Sequence, residues 1–281
     1  MVEKEDDNVY FVDHENTAEM VRLINQDRAL TKGIGGFFPN EFDPSAARSI
    51  LDLGCGPGGW VQEVAFAYPD IEVTGMDVSE TMISYAQAQA KVQGLDNAHF
   101  CVGDLLNPLD FPDGAFDLVN ARLIAFLPTD AWPRLMQECM RIMRPGGMCV
   151  LTEMEWITNS PAVELLFSTF TSALKAVGQS FSPDGRLIGI TPMLGGFLKE
   201  TGFQNVHLAA HVLDISAGTE ASQFIYENWK TFYKVLQPFL VGAGVTTQEK
   251  MDQAYEQMLL EVPQDTFRGL IFMVSAIGEK Q

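Results

Sequence analysis

Asp52-Leu53-Gly54-Cys55-Gly56-Pro57-Gly58-Gly59 sets a carboxylate two residues ahead of four closely spaced glycines. Glycine reaches backbone angles closed to other residues and lets a ligand approach the main chain. The run joins an apolar stretch (49–53) to a helical pattern that starts at Gly59, and N–H groups at a helix start offer an anion site. Two patterns fit the same residues. Gly54, Gly56 and Gly59 satisfy GxGxxG, a dinucleotide pattern that is weak alone. Asp52-x-Gly54-x-Gly56-x-Gly58 instead places an acid two residues before the first glycine. Asp77 ends the apolar run 71–76, where a carboxylate can accept both hydroxyls of a ribose, and Gly103-Asp104-Leu105 follows the run 98–102.

The elements that must hold these groups alternate. Residues 49–53, 71–76, 98–102, 116–120 and 148–153 read as strands, and 59–68, 79–93 and 130–143 as helices. Ser79 caps the second of these helices and Gly94 stops it. Such alternation predicts repeated βαβ units and a parallel sheet. A helix from about Asn16 precedes the sheet, with Glu19 three residues after the cap, a stripe of Met20, Leu23 and Ile24, and Gly33, Gly35 and Gly36 at its end. After Glu153 the alternation breaks. Residues 161–177 and 192–201 read as helices, 203–215 as a long strand, 220–262 as helical with a break at Gly242-Ala243-Gly244, and 267–276 as a seventh strand. The expected organisation is an N-terminal helical extension or lid (1–48) and one domain (49–281), with helical cap insertions at about 155–190 and 220–262.

Two further stretches sharpen the choice: Phe116-Asp117-Leu118-Val119-Asn120-Ala121 and Arg144-Pro145-Gly146-Gly147. With them, residues 49–153 resemble the class I S-adenosylmethionine-dependent methyltransferases of small-molecule type, and the remainder resembles them in topology. The resemblance implies an α/β fold, a Rossmann-like seven-stranded mostly parallel sheet with an antiparallel last strand, flanked by helices and carrying helical caps. It also implies S-adenosyl-L-methionine as cofactor and S-adenosyl-L-homocysteine as product. The cofactor-binding residues so implied are Asp52, Gly54, Cys55, Gly56, Gly58, Asp77, Val78, Met82, Gly103, Asp104, Leu105 and Asn120. The amides of Gly54, Cys55 and Gly56 would face the amino-acid end with Asp52 near its ammonium, Asp77 would hold the ribose, and Asp104 the adenine amine. Plainer roles compete: Asp52 as a cap on the loop, Asp77 as a helix cap, Asp104 as a turn acid, and Cys55 as a small residue filling its slot.

Methyl transfer is an in-line displacement, so the first requirement is an acceptor atom held about 3–3.5 Å from the methyl carbon. A general base helps a hydroxyl or acidic C–H and is optional for a free amine. No residue declares itself as that base; His14, Tyr10, Glu155 and Arg122 are the candidates. Ligands of open α/β sheets bind beyond the carboxyl ends of the strands. Arg122, Glu153, Trp156 and Asn159 are therefore acceptor-pocket candidates, with Tyr10 and Phe11 from the N-terminal segment and Tyr226, Trp229 and Tyr233 from the second insertion. Phe224, Trp229, Phe232 and Phe239 fall at roughly helical spacing there, as core packing or as a lid over an apolar acceptor. Glu155 and Arg122 read equally well as solvated loop charges, and His99 as structural. His207 and His211 lie on an expected strand, about 13 Å apart, too far to share a zinc ion. No acids and Asn are spaced for a catalytic Mg²⁺, so no metal is expected.

Composition narrows the partners. The 281 residues are 47% hydrophobic, enough for a sizeable core, and 18 basic against 37 acidic residues leave a net charge of −19. Such a surface disfavours phosphate backbones and anionic lipid, so neither nucleic acid nor membrane is an expected partner. The acidic start lacks the apolar core of a signal peptide, and the four cysteines lack metal-site spacing, which predicts reduced thiols and a cytoplasmic location. A homodimer is compatible with the sequence, which does not fix oligomeric state. The expected function is metal-free methyl transfer, aided by proximity, to a small, moderately apolar acceptor such as an aromatic or natural product. The alternative is a protein of the same fold that binds S-adenosylmethionine for regulation or for sulfonium-assisted cyclisation or rearrangement. A nicotinamide oxidoreductase is the third reading.

Overall fold

The computed structural model describes residues 17–281. Tyr10, Phe11, His14 and the expected cap Asn16 lie outside them. Helix α1 (Thr17–Ile34) comes first, followed by β1 (Ser49–Leu53), α2 (Gly59–Ala67), β2 (Glu72–Asp77), α3 (Glu80–Gln93) and β3 (Ala98–Val102). Next come β4 (Phe116–Arg122), α4 (Trp132–Ile142) and β5 (Met143–Thr158). The cap elements α5 (Pro161–Ala176) and α6 (Leu194–Thr201) lead to β6 (Gln204–Asp214), then α7 (Glu220–Gly242), α8 (Gln248–Glu261) and β7 (Gly269–Glu279).

The seven strands form one sheet in the order β3-β2-β1-β4-β5-β7-β6. β1 pairs in parallel with both β2 and β4, so the strand order reverses beside β1 and opens the crevice where ligands of such sheets bind. β7 runs antiparallel to both β5 and β6. This is the Rossmann-like sheet expected, and the helices flank it. α4 shows how the sequence dictates this: Trp132, Leu135, Met136, Cys139 and Ile142 recur at three- and four-residue spacing and are all buried. α3 is capped as read, the Ser79 hydroxyl accepting from Met82 N–H and Gly94 taking the left-handed conformation.

Three boundaries differ from expectation. β5 does not stop at Glu153 but continues to Thr158, because β7 pairs with it from Met148↔Glu279 to Thr158↔Gly269. Glu155 and Trp156 therefore sit on a strand, and the first helical insertion begins at α5 rather than near 155. Arg144-Pro145-Gly146-Gly147 falls within the bounds of β5, at a register shift between the Phe116↔Met143 and Leu118↔Met148 pairs. Gly33 lies inside α1, where it faces Met273 of β7 rather than ending the helix.

α7 packs against α1, α5 and α8, so the second insertion meets α1. No described helix is long and apolar enough to cross a membrane.

Candidate active site

Beyond the carboxyl ends of β1, β2, β4 and β5 lies a cavity of about 610 Å³. Its floor is Gly54, Cys55, Gly56 and Pro57 after β1, Asp77, Val78 and Ser79 after β2, and Gly103, Asp104 and Leu105 after β3. Met82 of α3 adds to this side. Arg122, Leu123, Phe126, Glu153, Met154 and Trp156 come from the ends of β4 and β5. α1 contributes Arg22, Leu23, Gln26, Asp27 and Leu30, and α7 contributes Phe224, Ile225, Asn228, Trp229 and Phe232. One half is thus polar and glycine-rich, the other aromatic and aliphatic.

The glycine loop is not the anion cradle expected of it. Gly54 and Cys55 N–H both donate to Met76 O, at 2.8 and 3.0 Å, and Gly56 N–H donates to Asp77 Oδ2 at 2.8 Å. The three amides expected to face the amino-acid end are therefore consumed inside the loop. The helix start is taken as well: Asp27 Oδ2 of α1 accepts from Trp60 N–H in the first turn of α2, at 3.1 Å. Gly59 makes this approach feasible, since a Cβ there would lie 2.8 Å from that oxygen. A dinucleotide pyrophosphate needs those N–H groups, and here the protein's own carboxylate occupies them.

Asp77 and Asp104 both line the cavity. Asp77 Oδ1 also accepts from Ser79 N–H at 3.0 Å. Asp104 Oδ1 accepts from Leu106 N–H at 2.9 Å, and its Oδ2 from Asn107 Nδ2 at 2.8 Å, so the turn role and a wall position coexist.

Asp52, Gly58 and Asn120, also expected to bind the cofactor, do not line the cavity. Asp52 is buried below the loop, where its Oδ1 accepts from Asn120 Nδ2 at 2.7 Å. Register explains this, because Asp52 on β1 lies opposite Asn120 on β4. The carboxylates at 52, 77 and 104 thus do not all converge on one space; two of them do. Burial pushes Asp52 up from its ordinary 3.8 to about 7, against the lowering pull of Arg122. The folded chain therefore keeps a proton that the unfolded chain releases. This group's stabilising contribution is complete below its ordinary value and is lost as pH rises through about 7. Asp52→Asn should flatten that fall between about pH 4 and 7, as read by chemical denaturation at several pH values.

Arg122, proposed from sequence for acceptor or catalysis, is tied to α1. Its Nη2 lies 2.6 Å from Asp27 Oδ1, its Nη1 donates to Thr31 Oγ1 at 3.0 Å, and its guanidinium stands 5.6 Å from the Trp60 ring centroid. It docks α1 onto the sheet while lining the cavity. Burial raises Asp27 above its usual carboxylate range despite that partner.

Glu155 does not face the cavity. Its carboxylate accepts from Gly189 N–H at 2.8 Å and Ile188 N–H at 3.3 Å, anchoring the loop between α5 and α6. Asn159 is equally structural, holding Thr266 O and Arg268 N–H. Tyr226 and Tyr233 lie outside the cavity wall; Tyr233 is fully buried in the cap core. Glu153, Trp156 and Trp229 do line it.

His207 and His211 both lie on β6, and His99 Nε2 is 2.6 Å from Glu72 at the surface. Among the described residues, no three His, Cys, Asp or Glu are grouped to hold a metal ion. Cys55 lines the cavity but is 4% exposed, and burial and the nearby Asp77 push its thiol well above the usual range. It should stay unmodified by iodoacetamide at neutral pH in the folded chain, with mass spectrometry as the readout.

Asp27, Gln26 and Asn228 carry no sequence signal that marks them as wall residues. Asp27 reaches the glycine loop from 33 positions away in sequence, and no local pattern announces that contact.

The switch-point cavity, with carboxylates after β2 and β3, belongs to a Rossmann-like α/β sheet. Residues 50–147 match the family model described as a methyltransferase domain. Ajmaline N-methyltransferase of Rauvolfia serpentina is 32% identical over 165 residues, covering 58% of this chain and 53% of that one. Demethylmenaquinone methyltransferase of Lactococcus lactis is 32% identical over 130 residues, covering 46% and 49%. The chain thus spans about half the length of these curated relatives. Phosphoethanolamine N-methyltransferase 2 of Haemonchus contortus, solved with phosphomonomethylethanolamine and S-adenosylhomocysteine, shares the fold. Its TM-score is 0.55 at 18% identity, over 98% of this chain and 61% of that one.

Proposed function

We propose that the protein is an S-adenosylmethionine-dependent methyltransferase acting on a small, moderately apolar acceptor without a metal ion. The observation that carries this reading is the charge and hydrogen-bonding character of the cavity. Its backbone anion sites are filled internally, while Asp77 and Asp104 line it. That surface suits a cation bearing hydroxyl and amine donors and not a pyrophosphate. Bound S-adenosylmethionine would supply an electrophilic methyl group on a sulfonium. Asp77 would accept from the ribose hydroxyls, Asp104 from the adenine amine, and Gly54 to Gly56 would lie along the amino-acid end.

The chain's contribution to the reaction is then placement. Leu123 to Leu127, Trp156 and the α7 aromatic side chains would hold the acceptor in line, and α1 with α7 would exclude water as a lid. Residues 1–48 as an extension over one domain, with the caps as acceptor walls, follow the same reading.

The test is incubation with methyl-tritiated S-adenosylmethionine and fractionated small-molecule extracts. Label entering an organic-extractable product, with matching release of S-adenosylhomocysteine, is the expected result. Cofactor binding with no demethylated product from any fraction would contradict transfer and favour a binding or rearrangement role.

A further inference from the structure

Glu153 is 2% exposed yet lines the cavity two strands along from β1. Its carboxyl accepts from Ile124 N–H, with Oε1 at 2.7 Å, and from Ala125 N–H, which steadies the turn after β4, where Leu123 takes a φ of +57°. Among the described residues no cationic side chain pairs with it. Arg122 is held by Asp27, and Arg22 by Glu19 at 2.6 Å, so both nearby guanidiniums are already partnered. Aromatic side chains stand in the same cavity: Trp156 and Trp229 with ring centroids 6.2 Å apart, and Phe170 edge-on to Phe232 at 5.4 Å.

A buried carboxyl group is costly when ionised and unpaired, and a cation is the ligand that would complete it. Aromatic walls favour the same kind of ligand through their ring quadrupoles, and a net charge of −19 draws cations in from solution. A neutral alcohol gains from none of these three.

Resting on the methyl-transfer reading above, we infer that the acceptor is a compact lipophilic amine. Its nitrogen sits between the Glu153 carboxylate and the Trp156–Trp229 aromatic wall, and Glu153 takes its proton. The amine enters as an ammonium. Its N–H bond breaks as an O–H bond forms on Glu153, which frees the nitrogen lone pair. That pair forms the N–CH3 bond while the C–S bond breaks and its electrons remain on sulfur. Positive charge passes from sulfur to nitrogen, and sulfur leaves as a neutral thioether. Burial favours the protonated Glu153 in the empty site, so that proton passes to solvent as the ammonium enters and pairs with the carboxylate; the second cation on sulfur then repels the ammonium and drives its proton onto Glu153.

The test is a tryptophan-fluorescence titration of the full chain, saturated with S-adenosylhomocysteine, against N-methyl-2-phenylethylamine and 2-phenylethanol. The amine should bind about tenfold tighter or better. Glu153→Gln keeps an oxygen for Ile124 N–H and should cut that preference to about threefold or less, with S-adenosylhomocysteine affinity unchanged by calorimetry. Trp229→Leu, of similar apolar character, should weaken the amine more than the alcohol and decides the matter if Glu153→Gln does not fold. Equal binding of the two probes, binding of neither, or a preference that survives both substitutions overturns the amine assignment while leaving methyl transfer standing. Failure of the wild-type chain to bind S-adenosylhomocysteine would instead overturn the methyl-transfer reading and this inference with it.

Discussion

Asp77→Ala is expected to weaken S-adenosylmethionine binding by about 1–3 kcal/mol, the cost of losing a charge-assisted acceptor. In the middle of that range the Kd rises more than tenfold. Asp77 stands at the end of β2 and lines the cavity. Its two oxygens also hold Gly56 N–H and Ser79 N–H, so the substitution removes the proposed ribose acceptor and releases the loop that shapes the floor. Asp77→Asn retains one carbonyl acceptor and should lose less. Calorimetric titration of both variants is the check. An unchanged Kd in Asp77→Ala would remove Asp77 from the site.

Gly58→Ala carries the largest expected effect on stability. Gly58 takes φ +78° at the start of α2, a conformation that costs an L-residue about 1–2 kcal/mol. A Cβ there would also lie 2.5 Å from Phe100 Cε1 and 2.8 Å from Ala86 Cβ, and overpacking adds about 1–3 kcal/mol. Together they predict a loss of about 2–5 kcal/mol. Gly114 separates the two causes: it has φ +64°, but a Cβ there would meet nothing closer than 3.9 Å. Gly114→Ala should therefore lose only the backbone part. Chemical denaturation of both variants gives the comparison, and equal losses would show that the contact with β3 and α3 contributes nothing.

The parts of the site legible in the sequence are those encoded locally. Asp77 and Asp104 each follow an apolar strand run, and Gly54 to Pro57 sit between strand and helix signals; all of them line the cavity. Gly58 belongs to the same motif, yet it lies off the cavity wall and packs closely against Phe100. The motif marks a backbone shape, and side-chain function does not follow at every position of it. Asp52 shows the same limit: its place before the first glycine is conspicuous, but strand register turns it toward Asn120.

What the sequence conceals depends on contacts between distant segments. Asp27 reads as one polar residue in an amphipathic helix, and only tertiary packing brings it to Trp60 N–H and Arg122. The length of β5 is within reach of the sequence, because Glu153-Met154-Glu155-Trp156 alternates with period two. Its pairing with β7, which makes that alternation a strand and separates Glu153 from Glu155 in role, is not.

Calorimetry of the purified chain against S-adenosylmethionine and, separately, against NAD tests the central claim most directly. The cavity with its N–H groups already engaged and its carboxylates facing inward predicts one S-adenosylmethionine bound per chain and no heat from NAD. Saturable NAD binding without S-adenosylmethionine binding would contradict it.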